Sequence, residues 1–289
     1  MVPTSPTVWR RWLAFELRRR REERGLAQRE VGKACGWSGA RLSYIENGQQ
    51  NVTLDDLDQL LPLYGVPEDE RPQFREAAER SREKGFWERY DSRVVPDWLA
   101  QYIGLEQGAA SISCVDPVVI PALLQIPEYA AAVIGADVTP RPERQVDELV
   151  KLRMERQAVV TRDDEPAALS AIIDESVLWR TAGGPDVMVR QLEHLVEVAE
   201  RPNVTIRVVP LDGGIRACMF GTYRLLTFAW PSDPGAVYVE HRDGAMHIED
   251  PVAVDNHRLL LEHSESSSLS PDESRELIQR ITEEYRLRA

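Results

Sequence analysis

The first 80 residues carry apolar positions at helical spacing, broken into short runs, and strand-like alternation enters only beyond residue 167. Residues 10–24 are dense in good helix formers and stop at Gly25, which suits the left-handed position after a helix. A second helix over residues 28–35 turns Val31 and Ala34 inward and ends at Gly36. Ser38 is placed to cap a third, which runs to about Glu46 with Leu42 and Ile45 facing in; Asn47-Gly48 ends it. Thr53 and Asp56 have capping-box spacing, with Asp in place of Glu or Gln, ahead of Leu54, Leu57, Leu60 and Leu61. One more helix is expected over residues 68–84.

Past Gly85 the pattern changes. Pro96 opens a helix expected to run towards Ser111, Pro127 opens another, and Pro142 precedes a longer one with Val146, Leu149 and Met154. Residues 168–173, 204–208 and 222–228 are strand candidates, and 237–240 with 245–248 form a hairpin around Arg242-Asp243-Gly244. Gly184-Pro185 introduces a helix with Met188, Leu192 and Leu195. The last helix has a full start signal in Ser270, Pro271 and Glu273, and the Ser-rich stretch 264–270 before it is expected to be an exposed loop.

Charge divides the chain as well, but nearer residue 52. Residues 1–52 hold ten Lys or Arg and five Asp or Glu, a net of +5, whereas residues 53–289 hold 25 and 43, a net of −18. A basic N-terminal module on an acidic body fits a nucleic-acid reader despite the overall −13, and on charge alone equally a helix with one solvated basic face. The 43% apolar fraction supplies a core, and no run is long enough for a membrane span. The start MVPTSPTVWRRW lacks an apolar signal region, and Cys35, Cys114 and Cys218 are odd in number and far apart. Together these point to a reducing cytoplasm, with no disulfide framework and no CxxC metal site.

Two helices of about eight residues joined by Gly36-Trp37 are the arrangement that sets a second helix in the major groove while the first crosses the backbone. The segment GLAQREVGKACGWSGARLSYIENGQQNVTLDDLDQLLPLYGV resembles the XRE helix-turn-helix domains related to phage repressors of the λ type. Gly25-Leu26, Gln28, Val31, Gly36, Ser38, Leu42, Ile45 and Glu46-Asn47-Gly48 carry the resemblance, which spans about residues 10–66. It implies that Gln28 meets a phosphate, that Gly39, Ala40, Arg41 and Tyr44 face the bases, and that Ser38, Ser43, Asn47 and Gln49 lie along the backbone contact. Gly39 and Ala40 have no side chain for base readout, which leaves Arg41 as the candidate for a bidentate guanine contact and Tyr44 second. Two positions depart from the pattern: Ala27 replaces a Ser or Thr cap, and Arg20 replaces a core Leu.

The rest of the chain, from GFWERYDSRVVPDWLAQYIGLEQGAASISCVDP through LRMERQAVV to VYVEHRDGAMHIEDP, is similar to a domain of actinobacterial antitoxin-like transcriptional regulators. Such genes often lie beside one for a small partner protein, and no reaction is attached to the domain. The fold expected is therefore multidomain: an all-α λ-repressor-like helix-turn-helix domain over residues 1–84, then an α+β domain over 85–289 with a mostly antiparallel sheet.

No nucleophile, nucleotide-loop or zincin motif is present. His241 and His247, with Glu240, Glu249 and Asp250 nearby, are either ligands or a surface pair; strand alternation across a turn favours the pair. Asp174-Glu175 reads as a carboxylate pair or as ordinary helix-start charges, and Pro210-Leu211-Asp212-Gly213-Gly214 as a turn without the helix that phosphate binding needs. Trp87, Trp98, Trp179 and Trp230 either pack in a core or line a pocket. The leading expectation is a cytoplasmic regulator of transcription, not an enzyme and without cofactor or metal. It binds double-stranded DNA as a homodimer and takes its signal from a small protein of a neighbouring gene. The alternatives are a small-molecule ligand as the signal, or an enzyme domain using Asp174, Glu175 and Glu240.

Overall fold

The computed structural model describes residues 5–38, 40–214, 219, 221–230 and 233–288. The chain forms two compact units, Met1–Arg89 and Tyr90–Ala289.

The first unit holds helices α1 (Pro6–Glu23), α2 (Gln28–Ala34), α3 (Arg41–Glu46), α4 (Leu54–Leu63) and α5 (Arg71–Arg80), then a 3-10 turn at Phe86–Arg89. Helix α1 starts a turn earlier than residue 10, because Pro6 is tolerated where no intrahelical donor is required and Val8, Trp9 and Trp12 are buried. Trp12 packs against Phe74 of α5 with ring centroids 5.1 Å apart. Gly25 and Gly36 adopt the left-handed conformation (φ +68° and +67°) that lets α1 and α2 stop within one residue. Leu17, Val31, Leu42, Ile45, Leu57, Leu60, Leu61 and Phe74 form the core, each side chain contributing about 1.5–3 kcal/mol by burial.

Several local expectations are corrected here. Helix α3 begins at Arg41 and not directly after Ser38, whose carbonyl accepts the Arg41 N–H at 3.1 Å in a preceding turn. Ala34 is exposed, leaving Val31 as the inward residue of α2. Arg20, on the core side of α1, is held by ion pairs to Glu70 and Glu16. Ala27 lacks a capping oxygen, but Glu30 accepts its backbone N–H at 2.8 Å, the half of a capping box that alanine permits. Thr53 and Asp56 make both halves, at 3.0 and 2.9 Å.

The second unit is built on a six-stranded mixed sheet of order β3-β2-β1-β4-β5-β6. Strands β1 (Ser111–Asp116), β2 (Ala168–Asp174) and β3 (Val204–Val209) are parallel, while β4 (Tyr223–Thr227), β5 (Ala236–His241) and β6 (Gly244–Ile248) continue from β1 antiparallel. Parallel neighbours need long crossovers. These are supplied by α7 (Pro127–Gly135), α8 (Glu143–Arg156) and α9 (Ala158–Thr161) between β1 and β2, and by α10 (Glu175–Trp179) and α11 (Pro185–Val198) between β2 and β3. Helix α6 (Asp97–Gln107) precedes β1, and α12 (Pro251–Ser266) and α13 (Pro271–Arg286) close the chain. One sheet face, with Val115, Ile172, Tyr223, Leu225 and Val237, packs with Val254 of α12.

The helix expected to reach Ser111 ends at Gln107, and β1 follows. The Ser-rich stretch is not a loop throughout: α12 runs to Ser266, and Ser264 is buried, its Oγ donating to the Leu260 carbonyl at 2.7 Å. Among the described residues no helix is long and apolar enough to cross a membrane.

Candidate nucleic-acid interface

The geometry of α1, α2 and α3 is fixed by a buried polar joint. Arg21 of α1 donates from Nε and Nη2 to both carboxylate oxygens of Glu46 at the end of α3, at 2.6 and 3.0 Å. Gln28, the first residue of α2, donates its Nε2 to the same carboxylate at 2.7 Å. The Arg21 Nη1 donates to the Leu26 carbonyl at 2.8 Å, across the turn between α1 and α2. Three helices thus meet on one carboxylate. Hydrogen bonding to Glu46, opposed by burial, holds the Arg21 guanidinium above its ordinary pKa. Tyr64 lies beside this joint, its hydroxyl buried and its pKa raised by burial and by Glu46.

Outside the joint, α2 and α3 present a polar surface. Tyr44 is 50% exposed. Ser38, Ala40, Asn47 and Gln49 are exposed, and Gln28 and Ser43 are half-buried. Asn47 donates its Nδ2 to the Ser43 hydroxyl at 3.4 Å, and the N–H groups of Gln49 and Gln50 return to the Tyr44 carbonyl at 2.8 and 3.1 Å. Gly39, expected at the base-facing edge, lies outside the described residues.

Arg41 is placed differently from the sequence expectation. Its Nη2 donates to Asp56 Oδ1 at 2.7 Å, its guanidinium lies 4.6 Å from the centre of the Trp37 ring, and its Nε is buried without a partner. Nη1 alone carries neither constraint. A bidentate contact needs two donors of the guanidinium fork, so it requires Arg41 to leave Asp56.

Sequence reasoning passed over Arg29 and Lys33. Both are exposed on α2, and among the described residues neither has a carboxylate within the ion-pair distance of 4 Å. Their spacing of four along a helix, which puts them on one face, was the signal available.

Residues 12–74 match a family described as a helix-turn-helix domain. Residues 99–280, well over half the chain, match the family described as a domain of unknown function, DUF5753. The chain belongs to the DUF5753 family. Its helix-turn-helix unit is a DNA-binding module of the kind found in regulators. No curated protein and no solved structure matches the chain.

Within the DUF5753 domain the candidate constellations separate. His241 is exposed and stands opposite Gly244, whereas His247 is half-buried opposite Tyr238, with a ring nitrogen 3.2 Å from the Trp98 carbonyl. Among the described residues no group of three or more His, Cys, Asp or Glu is arranged to hold a metal. Asp174 caps α10, accepting the Ser176 N–H at 3.0 Å. Glu175 accepts from the Trp179 indole at 3.1 Å and from the Leu211 N–H at 2.9 Å, so the two carboxylates have separate structural partners. Leu211–Gly213 is a 3-10 turn. Trp230 stacks on Phe228, and Trp87 belongs to the first unit, where it packs on Phe86. Cys218 lies outside the described residues.

Proposed function

We propose that the chain is a cytoplasmic, sequence-specific regulator of transcription whose XRE-type first unit sets α3 in the major groove of double-stranded DNA. The Arg21–Glu46–Gln28 joint carries this reading. It holds α2 and α3 together while Ala40, Tyr44, Asn47 and Gln49, and the cations Arg29 and Lys33 of α2, stay exposed. Tyr44 reads a base edge, and Arg41 reaches the groove with Nη1 while Asp56 and Trp37 position it. Gln28, Ser38, Ser43 and Gln49 lie along the phosphates.

One such module reads few base pairs, so specific binding calls for a homodimer on half-sites about 34 Å apart. We assign the acidic domain over residues 85–289 to pairing and to binding a small protein of a neighbouring gene, in an antitoxin-like role. The resemblance of its segments and the charge break near residue 52 support this. The domain then acts as a regulatory module and not as an enzyme.

Competition binding on a site selected from random DNA tests the interface. Arg41→Ala and Tyr44→Ala each weaken the selected site by about 1–3 kcal/mol and relax one base position. Asp56→Asn weakens binding less than Arg41→Ala, because Nη1 survives without its guide. Unchanged affinity and unchanged selected sequence in both Arg41→Ala and Tyr44→Ala would remove α3 from the groove. Tighter binding by Asp56→Asn would instead mean that Arg41 leaves Asp56 to reach the bases.

A further inference from the structure

The sheet of the second unit has two edges, β3 and β6, and the fold treats them differently. At the β3 edge Val208 donates its N–H to the Ser274 hydroxyl at 2.9 Å, and its carbonyl accepts the Leu269 N–H at 2.9 Å. The segment that leads into α13 thus covers that strand. Among the described residues no such bonds run along the outer side of β6.

The two-residue turn at Arg242-Asp243 decides which groups of β6 point outward. His241 and Gly244 close the hairpin as a hydrogen-bonded pair. Bonded pairs alternate from there, so Met246 and Ile248 also bond to β5. Ala245 and His247 therefore turn their N–H and C=O groups away from the sheet. Among the described residues these four groups have no hydrogen-bond partner; His247 commits its ring, not its backbone, to the Trp98 carbonyl. Unpaired peptide groups are rare away from water, which leaves this edge open to solvent.

Strand β6 also lacks the devices that keep an open edge from pairing. Residues 244–248, Gly-Ala-Met-His-Ile, include no proline and no Lys, Arg, Asp or Glu, and they pair with β5 without a bulge. Met246, at the centre, is 52% exposed. Residues 53–289 carry −18, so most of the surface of this unit repels a second copy. An uncharged strip is where a second copy meets least repulsion, and a basic partner gains nothing there.

We propose that β6 pairs antiparallel with β6 of a second copy, about a two-fold axis at Met246. This rests on the homodimer reading above and names the surface that carries it. In this register all five residues of the strand find partners: Gly244 faces Ile248 of the other copy, Ala245 faces His247, and Met246 faces itself. The two Ala245–His247 pairs exchange the bonds that are unmade in one chain. The Met246 side chains meet in the closely spaced kind of pair, with Cα atoms about 4.5 Å apart. Asp243 and Glu249 come next on either side and are like charges, so the ladder ends with the strand. Five residues a side make a small interface beside the roughly 1,200–2,000 Å² of a stable one. Pairing of the free chain is accordingly weak, and two half-sites on one DNA hold the pair by raising its effective concentration.

Sedimentation velocity of the full chain, free at up to about 100 μM and bound to a selected DNA site, tests this, with the thermal midpoint as the check on folding. Ala245→Pro removes an outward N–H that β5 does not use. Met246→Lys and Met246→Glu set like charges on the axis. Each variant keeps the parent's midpoint and weakens dimerisation by about tenfold or more. An equimolar mixture of Met246→Lys and Met246→Glu recovers the dimer, because opposite charges then meet; misfolding cannot mimic that recovery. A parent dimer that all three variants leave unchanged overturns the β6 pairing and leaves the homodimer on another surface. A mixture no more dimeric than its components overturns the two-fold at Met246. A parent that is monomeric when free and binds DNA as one chain overturns the pairing and the homodimer reading together.

Discussion

Replacing Glu46 by Ala tests whether one carboxylate joins three helices. The side chains of Arg21 and Glu46 are 9% and 1% exposed, so the substitution strands a guanidinium away from water. Removing one partner of a buried pair costs about 3–5 kcal/mol. The lost Gln28 amide bond adds about 1 kcal/mol. Some of this is recovered, because Arg21 already touches Glu22 at 3.3 Å; that carboxylate is 51% exposed, so it returns no more than about 1 kcal/mol. The net loss is then about 3–5 kcal/mol, a large share of the roughly 5–15 kcal/mol that folds an ordinary domain.

Hydrogen exchange of α1 amides in the full chain measures this loss in the first unit by itself. Operator binding should fall with it, since α2 and α3 lose their common anchor. The double substitution Arg21→Met with Glu46→Leu should recover most of the stability, as apolar replacements of buried ion pairs often do. It should not recover full DNA binding, because Gln28 stays unanchored. A loss below about 1 kcal/mol for Glu46→Ala, or a double variant no more stable than the single one, would refute the reasoning.

Two other outcomes concern the second unit. Burial holds His194 below its ordinary pKa against the pull of Glu197, and does the same to His247 against the Trp98 carbonyl and Glu249. The folded values lie below the unfolded ones, so this stability is full above the ordinary imidazole value of about 6.5 and is lost as pH falls through it to the folded values. The urea midpoint should fall between pH 7.5 and 5.5, and less so in a His194→Asn, His247→Gln variant. Ser270→Ala removes the acceptor that takes the Glu273 N–H at 3.3 Å; thermal melting should show a loss of about 1 kcal/mol.

The helical first unit was legible because its stop signals are strong. Gly25, Gly36, Asn47-Gly48 and the Thr53–Asp56 box each mark a boundary that the backbone obeys. Strand β1 was missed although Gly108 gives the helix stop and Ser111 and Ser113 alternate with Ile112 and Cys114, because the alternation is short and breaks at Cys114-Val115. Helix α12 was missed for another reason: Val252 and Leu259 are 69% and 63% exposed, so its apolar residues trace no clean stripe. The proposed interface residues came from the family resemblance and not from spacing. What spacing does not give is partnership: Arg21 with Glu46, and Arg41 with Asp56, are 25 and 15 residues apart, and only the packed helices bring them together.

That partnership changes how the basic module meets DNA. Ten cations in residues 1–52 suggest a strongly salt-dependent binder. Yet Arg18, Arg19, Arg20, Arg21 and Arg41 each sit against a carboxylate, and Arg24 is tied to the Tyr64 carbonyl at 2.8 Å. Counterion release counts only cations free to meet phosphate. Arg29, Lys33 and one further contact give a log–log salt slope of about −2 to −3 for one module, against about −9 if all ten engaged. With residues 53–289 carrying −18, so shallow an attraction leaves a single module weak at physiological salt. Two modules on paired half-sites give about −5, and Arg29→Ala should then make the dimer's slope shallower by about 2. Binding isotherms from 50 to 300 mM salt, with stoichiometry read alongside, decide the matter. A slope near −9 would mean that the internal ion pairs open on DNA, and one near −2 with one chain per site would exclude the dimer.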